Sequence, residues 1–126
     1  MTRTGVIDIP LIPRVELMHR LQGMRGGRGR HLPGEGVNLK CVEVFTGITQ
    51  TRLSQVYLNG DVSNRTQILL SQFFHRWDKG EISFSYDGKK WSVVFNNPSV
   101  QRYTMVRCAR ITNGVATIDK IYGVQR

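Results

Sequence analysis

Apolar residues recur at helical spacing on both sides of one glycine in the middle of the chain. Val42 and Phe45 lie three positions apart before Gly47, and Leu53 and Val56 lie three positions apart after it. Residues three or four positions apart fall on one face of an α-helix, so each group forms an apolar stripe. The pattern therefore predicts two short helices, each burying one face, with a break at the glycine.

The break has the residues that a tight turn needs. Gly47 can adopt the positive φ that ends a helix in a left-handed turn, and Thr49 can cap the following helix through its hydroxyl. Ile48, between them, is expected to fill the crevice where the two helices cross. The second helix, predicted over residues 49–58, presents side chains that suit the edges of DNA bases, namely Thr49, Gln50, Thr51, Arg52, Ser54 and Gln55.

Here the chain resembles the helix-turn-helix of the lambda-repressor-like and lactose-repressor-like regulators. The resemblance covers roughly residues 39–77 and continues from the helix pair into the segment NGDVSNRT, where such proteins place a turn and a Ser-capped helix. It implies that the second helix reads the major groove of DNA. The chain departs from the family at Glu43, where a small residue is usual, and this carboxylate is expected to point along the edge of the helix pair. A helical hairpin within an ordinary core remains the alternative.

The flanking segments predict further helices. Pro13 suits the first turn of a helix that continues to about Met24, after an extended arm over residues 1–12. Ser63 is a good N-cap for a helix that buries one side and ends near Lys79. The segment between the first helix and the helix pair, residues 25–36, has five glycines, a proline and three arginines, so it is predicted to be a loop. This Gly/Arg loop suits either a contact with the minor groove or phosphates, or a solvated linker.

After residue 80 the apolar spacing changes from helical to alternating. The segments ISFSY and KWSVVF flank a turn at residues 87–88, and a second pair of strands flanks Asn113 and Gly114, a strong hairpin signal. The chain is therefore predicted to be an α+β protein with one small antiparallel sheet of about four strands. Its segments are an N-terminal arm, helix and loop (1–36), the helix-turn-helix with its supporting helix (37–80) and a β extension (81–126), forming one compact domain.

The charge balance points to a polyanionic partner. The 126 residues include 18 Lys and Arg against 9 Asp and Glu, which gives a formal net charge of +9. Positive charge is concentrated on either side of the predicted helix pair, as expected if base contacts are central and phosphate contacts are peripheral. The residues predicted to contact phosphates are Arg25, Arg28, Arg30, Lys40, Asn59, Asn64 and Arg65.

Catalytic and metal-binding patterns are not recognisable in the sequence. Three histidines and nine acidic residues are scattered, and the two cysteines, Cys41 and Cys108, have no zinc or disulfide spacing. The predictions are therefore no enzyme, no cofactor and no metal. With no long apolar run, the chain is expected to avoid membranes and to act in the cytoplasm, associated with the nucleoid.

These features favour a sequence-specific protein that binds double-stranded DNA, a small transcriptional regulator of the kind found in phages or mobile elements. One reading helix contacts few base pairs, so a homodimer is expected. The rival hypothesis is a structural or interaction protein, such as a ribonucleoprotein or virion component. It would bind RNA or DNA nonspecifically through the Gly/Arg loop, with sheet aromatics such as Tyr86, Trp91 and Tyr103 as stacking platforms.

Overall fold

The computed structural model describes residues 6–25, 39–97, 102–103, 108–119 and 124–125. These ranges contain four helices, α1 (Arg14–Arg25), α2 (Leu39–Thr46), α3 (Gln50–Asn59) and α4 (Asn64–Asp78). They also contain strands β1 (Val6–Pro10), β2 (Ile82–Tyr86), β3 (Trp91–Phe95), β4 (Arg102–Tyr103), β5 (Cys108–Thr112), β6 (Val115–Asp119) and β7 (Val124–Gln125). The chain therefore has the α+β fold class that the sequence predicts. In the described part, no helix is both long and apolar enough to cross a membrane.

Helix α4 is the centre of the fold. Its N-cap is Ser63, whose hydroxyl accepts a hydrogen bond from the Thr66 amide at 3.2 Å. The nine residues from Thr66 to Phe74 are all buried, so this part of the helix is covered on every side. The sequence predicts burial of one side only, because its polar residues look like a solvent face. They are instead covered by the N-terminal segment, which no local pattern places there.

Two buried polar side chains of α4 hold the connection between β1 and α1. The hydroxyl of Ser71 accepts a hydrogen bond from the Ile12 amide at 2.8 Å, and the side-chain amide of Gln67 donates to the Ile12 carbonyl at 2.9 Å. His75 bonds the carbonyl of Pro10 at 2.8 Å. Buried backbone groups need such partners because water cannot reach them. These bonds fix where α1 begins and hence how it lies against α3 and α4.

The main core lies between the helices and the hairpin formed by β2 and β3. Phe45 of α2 and Phe73 of α4 meet edge to face with ring centroids 5.7 Å apart. From the hairpin, the ring centroid of Phe84 lies 6.0 Å from that of Phe73, and the ring centroid of Phe95 lies 6.5 Å from that of Phe45. Burying one such ring stabilises a fold by about 1.5–3 kcal/mol. The hairpin is thus attached directly to the helix that precedes Gly47.

The strands belong to separate sheets. Strand β6 lies between β1 and β5, β2 pairs only with β3, and β4 pairs with β7, so the described strands do not form the predicted single sheet of four. The predicted hairpins themselves are confirmed, the second with Asn113 and Gly114 at φ 52° and 76°. The predicted arm at residues 1–12 includes β1, which pairs antiparallel with β6.

Arg20, in the middle of α1, joins this helix to the end of α4. Its guanidinium donates to both carboxylate oxygens of Asp78 at 3.0 and 2.7 Å and lies 4.1 Å above the centre of the Phe74 ring. These hydrogen bonds, opposed by desolvation, hold the pKa of Asp78 below its ordinary value of 3.8. The contact combines a bidentate ion pair with a cation–π interaction between α1 and α4.

Ser71→Ala tests the buried bond to Ile12. The substitution leaves the Ile12 amide without its acceptor in a buried position, which should lower the free energy of unfolding by about 1–3 kcal/mol. Ser92→Ala, at an exposed position of β3, is the matched control and should stay within about 0.5 kcal/mol of the wild type. Urea denaturation measures both, and equal stabilities for the two variants would contradict the assignment.

The pKa of Asp78 gives a pH-dependent prediction. A carboxyl with a lowered pKa in the folded state stabilises the fold above its unfolded pKa, and this contribution is lost as the pH falls through the folded pKa. At neutral pH the free energy of unfolding of the wild type should exceed that of Asp78→Asn by on the order of 1 kcal/mol or less, since both partners of the ion pair are partly exposed. Urea denaturation below pH 3.8 should show this difference shrinking. A difference that is the same at both pH values would exclude the ion pair as its source.

Candidate nucleic-acid interface

The turn between α2 and α3 is built from one glycine and one buried hydroxyl. Gly47 has φ 78°, and its amide donates to the carbonyl of Glu43 at 2.8 Å, which completes the last turn of α2. Thr46, which is buried, donates its hydroxyl hydrogen to the Val42 carbonyl at 2.7 Å and accepts from the Ile48 amide at 3.1 Å. The hydroxyl therefore satisfies the first amide after the glycine and fixes the direction in which α3 leaves.

The inner face of α3 packs as the sequence predicts. Ile48 is 4% exposed, and Leu53 and Val56 are fully buried in the main core. Thr49 caps the helix, accepting a hydrogen bond from the Arg52 amide at 3.2 Å. Gly60 ends it in the left-handed conformation with φ 70°. Helix α3 thus begins directly after the predicted cap and ends one residue beyond the predicted end at 58, and its rotation about its own axis is set by the buried stripe.

All six residues predicted to read bases lie on α3 or at its cap. Thr49, Gln50, Thr51 and Arg52 are exposed, and Ser54 and Gln55 are partly buried. Two of these side chains bond each other, since Arg52 Nη1 donates to Gln55 Oε1 at 3.3 Å, and Ser54 Oγ donates to the backbone carbonyl of Thr51 at 2.7 Å. The bond between Arg52 and Gln55 is long and exposed, so a base edge can replace it at little cost. The face is therefore partly ordered before any partner binds.

The Glu43 carboxylate bonds side chains on both helices of the pair. Its Oε1 atom accepts hydrogen bonds from Lys40 and from the side-chain amide of Gln50, both at 3.2 Å. The side chain is 29% exposed and does not enter the crossing of the helices. Glu43 therefore bridges α2 to the first turn of α3, and Lys40 offsets a negative charge that would otherwise repel phosphates.

The residues predicted to contact phosphates lie in two places. Lys40 is in the first turn of α2, and the other described members lie around the turn from α3 to α4: Asn59 ends α3, Asn64 begins α4 and Arg65 follows it, all exposed. Arg25 is the last residue of α1, but its side chain is outside the described part, as are Arg28 and Arg30 of the Gly/Arg loop. Within the described part, three of these seven residues therefore lie near the end of α3.

The sequence gives no indication of the role of Arg14. Its Nε donates to the Val62 carbonyl at 3.0 Å, and its Nη2 donates to the Asn64 side-chain oxygen at 2.9 Å. The Asn64 oxygen is occupied by this bond, so its amide hydrogens are the groups left for another acceptor. Some 50 residues separate the two partners, so only the folded chain brings them together.

Leu58 is a second residue that the sequence reasoning did not include. It lies in the last turn of α3 and is 61% exposed, whereas Leu53 and Val56 on the same helix are buried. Its position off the apolar stripe is the signal that could have identified it. An exposed aliphatic side chain on a polar helix face suits contact with a thymine methyl group.

The described residues bring together no group of three His, Cys, Asp or Glu side chains that could hold a metal ion. Cys41 is buried and not in a disulfide. His19 is exposed, and His75 bonds the Pro10 carbonyl, while His31 is outside the described part. The polar groups that the fold does bring together are hydrogen-bond donors and acceptors on one helix, which suits recognition of a ligand surface.

Comparisons of the chain with protein-family models, with curated proteins and with solved structures found no match. The site is therefore interpreted from its own residues and geometry.

Gly47→Ala tests whether the turn sets the direction of α3. A methyl group at this position would meet no atom within 4 Å, so the cost is confined to the positive φ and should be about 1–2 kcal/mol. Gly23→Ala in α1 is the matched control, because it also meets nothing within 4 Å but lies in helical backbone. It should stabilise the protein by about 0.4–1 kcal/mol. Thermal denaturation that shifts both variants in the same direction would contradict this view of the turn.

Proposed function

We propose that the chain is a sequence-specific double-stranded DNA-binding protein, a small transcriptional regulator that reads the major groove with α3. The observation that carries the proposal is the arrangement of α3: a fully buried inner stripe, a turn held by the buried Thr46 hydroxyl, and an outer face of exposed and partly exposed polar side chains. An α-helix with such a face fits the width of the major groove, where each base pair shows a distinct pattern of donors and acceptors.

In the proposed mechanism, the N-terminal end of α3 enters the groove. Gln50, Thr51 and Gln55 read base edges, and glutamine can pair with both N6 and N7 of adenine. To read a base, Gln50 breaks its 3.2 Å hydrogen bond to the Glu43 carboxylate. Arg52, at the side of the same turn, contacts bases or phosphates. Thr49 and Ser54 complete the reading face, Thr49 by capping the helix and Ser54 from its second turn.

Phosphate contacts surround this reading unit. Asn59, Asn64 and Arg65 lie at the end of α3 and the beginning of α4, and Lys40 lies at the start of α2. Arg25, Arg28 and Arg30 extend the contacts from the Gly/Arg loop toward the adjacent minor groove. With a net charge of +9, binding should be strongly salt-dependent, because each phosphate that a cation neutralises releases counterions.

A two-fold dimer is part of the proposal. A single reading helix contacts few base pairs, and two copies on half-sites about one helical turn apart would double the contacts. The candidate interface is the free edge of β5, since β5 pairs with β6 alone in the described part of the sheet. Ile111 on this strand is 40% exposed, which supports an apolar contribution to such an interface.

Replacing both glutamines tests the assignment of the reading helix. A preferred duplex is first selected from random sequences, and its affinity is compared with that of a shuffled duplex by fluorescence anisotropy. Gln50→Ala with Gln55→Ala should reduce this preference by roughly 5- to 150-fold for each lost base contact, while weak binding to both duplexes remains. Ser92→Ala, at an exposed position of β3, is the control and should keep the preference.

A preference that survives the double substitution would show that α3 does not read the sequence. Failure of the wild type to enrich any sequence would instead favour the rival function, a structural or interaction protein that binds RNA or DNA nonspecifically.

A further inference from the structure

The hairpin of β2 and β3 extends beyond the helices that it covers. Cross-strand neighbours Ile82 and Phe95, and then Phe84 and Val93, face the main core. The next pair on the same side is Tyr86 and Trp91, and Tyr86 is 55% exposed. At about 3.3 Å per residue, the end of the hairpin lies roughly 10 Å past the last pair that packs on the helices. The end of the hairpin therefore projects from the core.

The projecting end is nevertheless well ordered. Tyr86 and Trp91 lie directly opposite each other with ring centroids 5.0 Å apart, a cross-strand aromatic contact. In the turn, the Asp87 carboxylate accepts hydrogen bonds from the amides of Lys89 and Lys90 at 2.8 and 2.9 Å. The backbone bonds from Lys90 and Lys89 hold the pKa of Asp87 below its ordinary value, so it is ionised at neutral pH. Gly88 supplies the positive φ, 94°, that the turn needs.

This end carries an excess of positive charge. Between Ile82 and Phe95 the charged residues are Asp87, Lys89 and Lys90, and the carboxylate is engaged with backbone amides. Both lysines are exposed, and neither takes part in an ion pair within the described part of the chain. The outer face of the hairpin contributes only serines and a valine. Two ammonium groups thus extend from an ordered turn in which Asp87 is the one nearby acidic residue of the hairpin.

We propose that this hairpin tip, residues 86–91, is a second DNA-contacting element, in which Lys89 and Lys90 bind backbone phosphates of the duplex. The inference rests on the proposed function and deepens it, because it adds a contact that no base-reading residue provides. The hairpin packs on α2 through Phe95 and Phe45, so it is attached to the reading unit rather than to the distant sheet. Lysine ammonium groups suit phosphates as point charges, and charge complementarity with a polyanion is the reason for choosing DNA as the occupant.

The contact is sequence-independent in this proposal. A lysine on a phosphate carries no information about the base, so the tip raises the affinity for every duplex equally and leaves the preference among duplexes unchanged. The stacked Tyr86 and Trp91 act as support, holding the lysines at a constant distance from the core. This separates the tip from α3, whose glutamines change the preference.

The test is the salt dependence of duplex binding by the full chain. Lys89→Gln with Lys90→Gln should make the negative slope of log affinity against log salt shallower by about 1.8 on any duplex. The same variant should bind roughly 30-fold more weakly at about 0.15 M salt. Lys89→Arg with Lys90→Arg keeps the charges and should keep the slope. Lys79→Gln removes an exposed lysine at the end of α4 and should also leave the slope unchanged. Circular dichroism checks that each variant is folded.

An unchanged slope in the Lys89 and Lys90 glutamine variant overturns the proposal, as does an effect confined to single-stranded RNA. The result is independent of sequence preference, since it is measured on preferred and shuffled duplexes alike. If the wild type proves to have no preference, the proposed reading function fails while the tip contact can still be confirmed. If the slope is unchanged but Gln50→Ala with Gln55→Ala abolishes the preference for the selected duplex, the proposed tip contact is wrong and the proposed reading function stands.

Discussion

The hydroxyl of Thr46 and the positive φ of Gly47 are the constraint on which the reading unit depends. The hydroxyl bonds the Val42 carbonyl and the Ile48 amide, so the backbone groups on either side of Gly47 are satisfied within the protein and Ile48 can be buried. Ile48 then packs into the crossing of α2 and α3, and Leu53 and Val56 follow into the core. Because one face of α3 is fixed in this way, its polar residues must face outward. The proposed recognition surface is a consequence of how the opposite face is buried.

Helix α4 connects this unit to the rest of the chain. Its apolar residues complete the core beneath α2 and α3, while Gln67 and Ser71 bind both backbone groups of Ile12 on another side. A buried polar group is costly without a partner, so the strand that precedes α1 has one favourable position against α4. In turn, α1 places Arg14 at the turn between α3 and α4. The N-terminal segment thereby supports the proposed phosphate contacts from a distance in sequence.

Local chemistry explains which parts of the fold could be predicted from the sequence. The ends of α3 and α4 follow from Thr49, Gly60 and Ser63, and the hairpin of β5 and β6 follows from Asn113 and Gly114, because caps and tight turns are determined by adjacent residues. The pairing of β1 with β6 joins residues more than 100 positions apart, and no local signal indicates it. For the same reason the hairpins were predicted in one sheet, whereas packing of β2 and β3 on the helices separates them.

The same distinction holds for the candidate site. Periodicity placed the six predicted base-reading residues together, since they share one helix. It could not show that Gln50 bonds Glu43, that Arg14 bonds Asn64, or that Lys89 and Lys90 project on an ordered hairpin, because each depends on tertiary packing or on side-chain rotamers.

The central claim is that DNA binds on the outer face of α3, and amide chemical-shift mapping by NMR tests it most directly. The labelled chain would be titrated with the selected duplex and, separately, with a shuffled duplex of equal length and composition. The account predicts that the largest shift changes fall on residues 49–55 and are larger with the selected duplex. Shift changes that are absent from these residues, or that are the same for both duplexes, would contradict it.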